Sequence, residues 1–313
     1  MRAVVVGGLN LDVVVNVPRL PLPGESLPAS AWHLVPGGKG GNQAVAVRRL
    51  GGDAVMVARV GADEFGTRLR RSLQSEGVDD AGVREDPAAP TGVALIAVAT
   101  GGENSIAVVA GANARVTPED VVAAAPLFGG ARMLLVQFEV PMDAVEAAMV
   151  LARRHGMRVL LDPSPVPSAG VPDRVLAGAD VVLPNAVEAA ALTGVRVDDP
   201  ESAEEAGRIL LHRGAGAAVV KRGRAGAVIV TAETATHVPS FRVASVDATA
   251  AGDAFAGGLA VALMRGEDLR AAVRFASAAG ALSTTHPGAQ PSMPTGNEIM
   301  RFLAGVTAAG DGA

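Results

Sequence analysis

The chain of 313 residues contains no cysteine, which excludes disulfides, thiolate nucleophiles and sulfur-ligated metals. Histidine is scarce too: His33, His155, His212, His237 and His286 are scattered, with no pair at metal-ligand spacing, so zinc is not expected. Charged residues make up only 19 %, with 27 Lys and Arg against 32 Asp and Glu. A net charge of −5 gives no basic footprint for nucleic acid, and none is expected as a partner. Long apolar runs are absent: none reaches the roughly 18 residues of a membrane span without Gly, Pro or charge. The stretch from Met1 to Val6 begins like a secretion signal, but Gly7-Gly8 and Asp12 interrupt it too soon, and it reads better as a buried first strand. A soluble, cytoplasmic protein with no membrane partner is the expectation. Aromatics are 3 % while the hydrophobic share is 49 %, which rules out disorder and points to a core of small side chains packed closely.

What is present is a regular alternation. Short β-branched runs recur at Val4 to Val6, Ala54 to Val60, Met133 to Val136, Val159 to Leu161, Val181 to Leu183, Ala217 to Val220 and Ala227 to Val230. Between them lie helical patterns such as Asn42 to Leu50, Glu64 to Glu76 and Asp143 to His155, each followed by glycine. The fold class is therefore α/β, a mostly parallel sheet with helices on both faces and its binding site at the strand C-terminal ends. One region departs from the alternation. Gly92 to Thr100 and Ser105 to Ala110 read as a hairpin around Gly101-Gly102-Glu103-Asn104, with Val13 to Val17 and Trp32 to Val35 as partner strands. The expectation is one domain over 1–313, carrying a small β layer from inserted segments at about 12–35 and 91–111, with a tail frayed from Ala308.

Three clusters carry chemistry. Pro36-Gly37-Gly38-Lys39-Gly40-Gly41-Asn42-Gln43 is not a P-loop, because His33 stands where the first glycine is required and no Ser or Thr follows Lys39. A flexible turn into a helix would account for it, but four glycines also let the backbone approach a ligand, and Lys39 and Asn42 bring donors to the helix start. Asp247-Ala248-Thr249-Ala250-Ala251-Gly252-Asp253 precedes the apolar stretch Ala254 to Met264. Unpaired amides and the helix dipole make such a start an anion hole, and simple capping explains one aspartate more easily than two. Pro184-Asn185 with Glu188 marks a strand-to-helix junction that a capping box alone would explain.

These clusters in this order, with Asn10 and Asp12 after the first strand, resemble the ribokinase-like carbohydrate kinase family over nearly the whole chain. Thr91-Gly92-Val93-Ala94, Gly111-Ala112-Asn113-Ala114 and Gly288-Ala289-Gln290-Pro291-Ser292 add to the resemblance. It implies an ATP-dependent phosphotransferase acting on the 5-hydroxyl of D-ribose, with Asp253 as base and the amides of Ala250, Ala251, Gly252 and Asp253 around the γ-phosphoryl. It further implies that Asn10, Asp12, Gly38, Lys39, Gly40, Gly41, Asn42 and Glu139 hold the sugar. Asn185, Glu188, Lys221, Gly223, Gly226, Gly252 and Ser277 would serve the nucleotide and its Mg²⁺. A monovalent cation, K⁺, would sit among Asp247, Thr249, Ser283, His286, Gly288 and Ser292, mostly on carbonyls. By the same resemblance the small β layer is a lid that closes over the sugar and pairs with its counterpart in a homodimer.

The chain departs from the family pattern at Ala248, Ala250 and Lys221, where Thr, Gly and a hydroxyl residue respectively are frequent. At a helix start Asp253 is expected to have a low pKa. The alternatives are a kinase for deoxyribose, another sugar or a nucleoside, and a non-catalytic sugar-binding regulator, against which the presence of Asp253 argues.

Overall fold

A computed structural model describes residues 1–101 and 103–310. Gly102, inside the expected hairpin turn, and the end of the tail, 311–313, lie outside the described residues. The strands are β1 (Arg2–Val6), β2 (Asn10–Val17), β3 (Ala31–Gly37), β4 (Asp53–Gly61), β5 (Asp79–Asp86), β6 (Gly92–Ala99), β7 (Asn104–Val109), β8 (Met133–Val136), β9 (Arg158–Leu161), β10 (Val181–Val182), β11 (Ala218–Lys221), β12 (Ala227–Val230) and β13 (Ala235–Val238).

Nine of them form one sheet in the order β13-β12-β11-β10-β9-β8-β1-β4-β5, parallel from β11 through to β5 and antiparallel only at β12 and β13. Alternate residues of β1 enter separate cores: Ala3 and Val5 pack on one face, Val4 and Val6 on the other, all fully buried. Burial on both sides is why these strands read as unbroken apolar runs rather than alternating ones. The chain first builds β4 and β5 on one side of β1 and then crosses to β8 on the other, so the strand order reverses at β1. A crevice at such a reversal, beyond the strand C-termini, is where α/β sheets bind ligands.

Small side chains let the helices come close. The helix Ala251–Met264 is buried all round from Asp253 onward, and a Cβ on its Gly258 would lie 3.0 Å from Ala276 Cα in the helix Leu269–Ser283. The four remaining strands form a second sheet, ordered β3-β2-β6-β7, with β2 and β6 parallel. Two strands were not expected from the sequence: β5 and β13, both at sheet edges, carry Asp, Glu, Arg, Thr or His in place of a core run. The last helix, Gly296–Gly310, continues through Ala308 where fraying was expected. Among the described residues no helix is long and apolar enough to cross a membrane.

Candidate active site

The glycine-rich clusters start their helices earlier than their patterns suggest. The helix Lys39–Arg49 takes in Gly40 and Gly41, and Gly38 turns the chain into it at φ 84°. A Cβ on Gly38 would stand 2.7 Å from both Asn10 N and Gly8 O, so only glycine permits β1's extension and this helix to meet. Gly40 and Gly41 turn toward the core instead of the pocket: their Cβ positions would strike Met56 and Gly7, and Leu9. Their lack of a side chain brings the helix close to the sheet.

Beyond the strand ends the side chains converge. Asn10 is tied by Asn113, whose Nδ2 donates to Asn10 Oδ1 at 2.8 Å and to Leu9 O at 3.0 Å. Asp12 stands over Gly37, where a Cβ would meet its carboxylate at 2.3 Å. Glu139, following β8, accepts from Lys39 N at 2.7 Å. Burial, then repulsion from Glu139 and Asp253, pushes Asp12 up to about 7. Burial likewise pushes Glu139 up to about 7, against the pull of Lys39. Burial also opposes the charge of Lys39, but Asp253, Asp162, Glu139 and Glu188 outweigh it and raise that ammonium above the usual lysine range. One cation thus lies in the field of carboxylates from both halves of the crevice.

Asp253 sits in the first turn of its helix, 4 % exposed. Its Oδ2 accepts from Asn42 Nδ2 at 2.9 Å and its Oδ1 from Gln43 Nε2 at 3.1 Å. The low pKa expected at a helix start is not what the site produces: burial dominates and raises it, Lys39 notwithstanding. Ahead of it Ala250 adopts the left-handed conformation, φ 59° and ψ 13°, alone in this among the described non-glycine residues. That bend brings the helix start to the crevice and leaves it without a side-chain cap. The Ala251 N–H bonds Ala248 O at 3.2 Å in the turn that leads into the helix. First-turn amides such as those of Gly252 and Asp253 have no acceptor within the helix, and Gly252 is exposed.

On the far side, Asn185 and Glu188 form the full capping box that the plain reading of that motif predicts: Glu188 Oε2 accepts from Asn185 N at 2.8 Å and Asn185 Oδ1 from Glu188 N at 2.9 Å. The second oxygen of Glu188 remains for a hard cation, and the pull on Lys39 places this carboxylate at the crevice. Lys221 ends β11 next to Asn185 and its Nζ lies 2.8 Å from Asp162 Oδ1. Gly223 and Gly226 shape the turn from β11 to β12 at φ 55° and 87°, and Ser277 is half-buried on the helix Leu269–Ser283. Three residues expected around the monovalent cation meet at Asp247, whose Oδ1 accepts from Thr249 N at 2.9 Å and whose Oδ2 accepts from Gly288 N at 2.8 Å. Burial opposes but does not prevent these bonds from lowering its pKa. Ser283 and Ser292 lie buried in the segments on either side, while the His286 ring is exposed and bonds Thr285 Oγ1 through Nδ1 at 3.0 Å.

Sequence reasoning missed Asp162 and Gln137 and, although Gln43 closes the first glycine-rich cluster, gave it no role of its own. Gln43 Nε2 spans Asp253 Oδ1 and Asp162 Oδ2, the latter at 3.0 Å, and Gln137 Nε2 donates to Gln43 Oε1 at 2.5 Å. The signal was available in Asp162 and Gln137, polar residues placed directly after the apolar runs of β9 and β8.

A buried carboxylate beside an uncapped helix start, facing a pocket of carboxylates and amides, is an arrangement able to serve phosphoryl transfer to a polyhydroxylated small molecule. The chain belongs to the pfkB family of carbohydrate kinases, whose family model matches residues 1–296. It is 36 % identical over 299 residues to the ribokinase of Haemophilus influenzae, covering 96 % of this chain and 97 % of that protein. It is 34 % identical over 304 residues to the deoxyribokinase of Salmonella typhimurium, covering 97 % and 99 %. Among solved structures, Arabidopsis thaliana ribokinase complexed with ribose and ATP superposes with a TM-score of 0.87 at 30 % identity, covering 96 % of this chain and 98 % of that one.

Proposed function

We propose that this protein is an ATP-dependent kinase that phosphorylates the 5-hydroxyl of D-ribose. The observation that carries the reading is Asp253: buried, held on both oxygens by Asn42 and Gln43, and one residue from the exposed Gly252 at an uncapped helix start. Its burial-raised pKa suits a group that must take a proton near neutrality. Asn10, Asp12, Asn42 and Glu139 bind the sugar hydroxyls, and a sugar lacking one hydroxyl would strand a buried partner. Asn42 Oδ1 is buried without a protein donor, an acceptor that a hydroxyl can fill.

The amides of Gly252 and Asp253, with the helix dipole, take the charge of the transferring phosphoryl. Mg²⁺ supplies neutralisation of the triphosphate when bound, and Glu188 would hold it through water. Asp247 and the loop to Gly288 form the K⁺ support for the same turn. The four-stranded sheet is the lid of a single domain. Its exposed apolar side chains, Trp32 and Leu95 on one face and Ile106 and Val108 on the other, suit a homodimer. The similar identity to a deoxyribokinase favours 2-deoxyribose as a second reading. A coupled ADP-release assay with ribose, 2-deoxyribose, hexoses and nucleosides tests both: ribose should give the highest kcat/KM, and no turnover with any of them would overturn the kinase reading.

A further inference from the structure

Lys221 and Asp162 form an ion pair with side chains 13 % and 3 % exposed. The pair reaches across the end of β10, from the last residue of β11 to the residue after β9. A buried pair of this kind is weak evidence for stability, because desolvation offsets most of the attraction. Its position offers another reason. A Cβ on Gly252 would lie 3.7 Å from Lys221 Nζ, so the ammonium stands at the open helix start. The other oxygen of Asp162 takes one proton of the Gln43 amide, whose second proton goes to Asp253. Gln137 fixes the far end of that amide. Base, amide, carboxylate and ammonium form a chain that begins at Asp253 and returns to its neighbour Gly252.

We propose that Lys221 is a catalytic residue of phosphoryl transfer, and that Asp162 is a positioning residue setting Lys221 and, through Gln43, the base Asp253 in one register. The inference rests on the kinase reading of the site. In the reaction the sugar hydroxyl oxygen bonds to the γ-phosphorus of ATP while the bond from that phosphorus to the β–γ bridging oxygen breaks. The electron pair leaves with ADP and the hydroxyl proton passes to Asp253. Charge grows on the bridging and γ oxygens, where Lys221 can donate charge-assisted hydrogen bonds facing the amides. Asp162 keeps the ammonium from swinging onto Asp253, which would quench the base.

The test compares wild type with Lys221→Met, Lys221→Arg, Asp162→Asn and the Lys221→Met/Asp162→Asn double variant, using saturating sugar with MgATP, and sugar affinity by calorimetry without nucleotide. Lys221→Met should lower kcat on the order of 10²-fold, the worth of one donor to developing charge, with sugar affinity within twofold. Lys221→Arg should recover at least about tenfold of that loss. Asp162→Asn retains an acceptor for Gln43 and should lose about tenfold in kcat, with little further loss when added to Lys221→Met. Three results would each overturn the inference: kcat within threefold of wild type in Lys221→Met, losses that multiply in the double variant, or a fall in sugar affinity and melting temperature that tracks the fall in kcat. A wild type inactive on every sugar overturns the kinase reading and this inference with it; an active wild type beside an unaffected Lys221→Met overturns this inference alone.

Discussion

Asp12 and Glu139 both stand at about 7, so the empty sugar pocket acquires much of its negative charge between pH 6 and 8. Hydrogen bonds to an ionised acceptor are roughly twice as strong as neutral ones. A carboxylate can also accept from two vicinal hydroxyls, whereas a carboxylic acid must commit one oxygen as a donor. The sugar should therefore select the ionised pocket. For a group titrating at 7, about one molecule in eleven is ionised at pH 6 and about ten in eleven at pH 8, a tenfold gain in affinity per group. If both must ionise, ribose should bind roughly 100-fold more tightly at pH 8 than at pH 6. The same shifts act on stability in the opposite direction. Both folded values lie above the ordinary 3.8 and 4.5, so the folded protein holds more protons between those values and 7. Their stabilisation is fully present below about 4 and is lost as pH rises through 7, by up to about 1.4 kcal/mol per pH unit for each group. Calorimetric titration with ribose at pH 6, 7 and 8, in paired buffers of different ionisation enthalpy, reads both affinity and protons released. Melting curves of the free protein read the second effect, and Asp12→Asn should flatten both. An affinity constant within twofold across this range, with no proton release, would refute the reasoning.

Asp253→Asn should lower turnover roughly 10²–10⁴-fold while sugar binding persists. It should also cost about 1–3 kcal/mol, because its amide nitrogen must face a donor, either Asn42 or Gln43; near-normal turnover in steady-state assays would remove Asp253 from the mechanism. Gly38→Ala meets Asn10 N and Gly8 O at 2.7 Å in a left-handed backbone, so urea unfolding should show a loss of at least about 2 kcal/mol together with weakened sugar binding. In tetramethylammonium buffer at fixed ionic strength, K⁺ should raise initial rates on the order of 10²-fold, Cs⁺ less and Na⁺ least, through ordering of 249–252. Equal rates in potassium-free protein, or K⁺ activation untouched by Asp247→Ala, would rule out that cation site.

The architecture was legible because every central strand is buried on both faces and so appears as a short apolar run, as in Met133 to Val136. Edge strands β5 and β13 escaped because their outward residues are charged or polar. The two glycine-rich clusters were visible as ligand approaches, but the division of labour within the first was not. Gly38 is needed for its backbone conformation, while Gly40 and Gly41 are needed for packing against Met56 and Leu9, contacts between segments far apart in sequence. The network of Gln43, Gln137 and Asp162 was hidden for a similar reason. Gln137 and Asp162 follow the neighbouring strands β8 and β9, Gln43 lies inside the helix Lys39–Arg49, and only the folded chain brings the three together. The raised pKa of Asp253 shows the limit of local reasoning: the helix start favours its charge, but complete enclosure by other elements decides the balance.

The electrostatic arrangement also accounts for why such a site would need cations beyond its own. Lys39 lies in the field of Asp253, Asp162, Glu139 and Glu188, and Asp12 is repelled by two of the same group. Lys221, paired with Asp162, adds no net positive charge. When a sugar ionises Asp12 and Glu139, it makes the crevice more negative at the moment a triphosphate must enter. The helix dipole and two first-turn amides offset only part of that repulsion, since each contributes on the order of 1 kcal/mol where partly exposed. Protons held on the pocket carboxylates before sugar arrives, and metal charge carried in with the nucleotide afterwards, therefore act in succession on the same electrostatic problem. With this many buried carboxylates, ATP should enter far more readily in company with a divalent ion, which would make metal dependence a consequence of the pocket proposed to recognise the sugar.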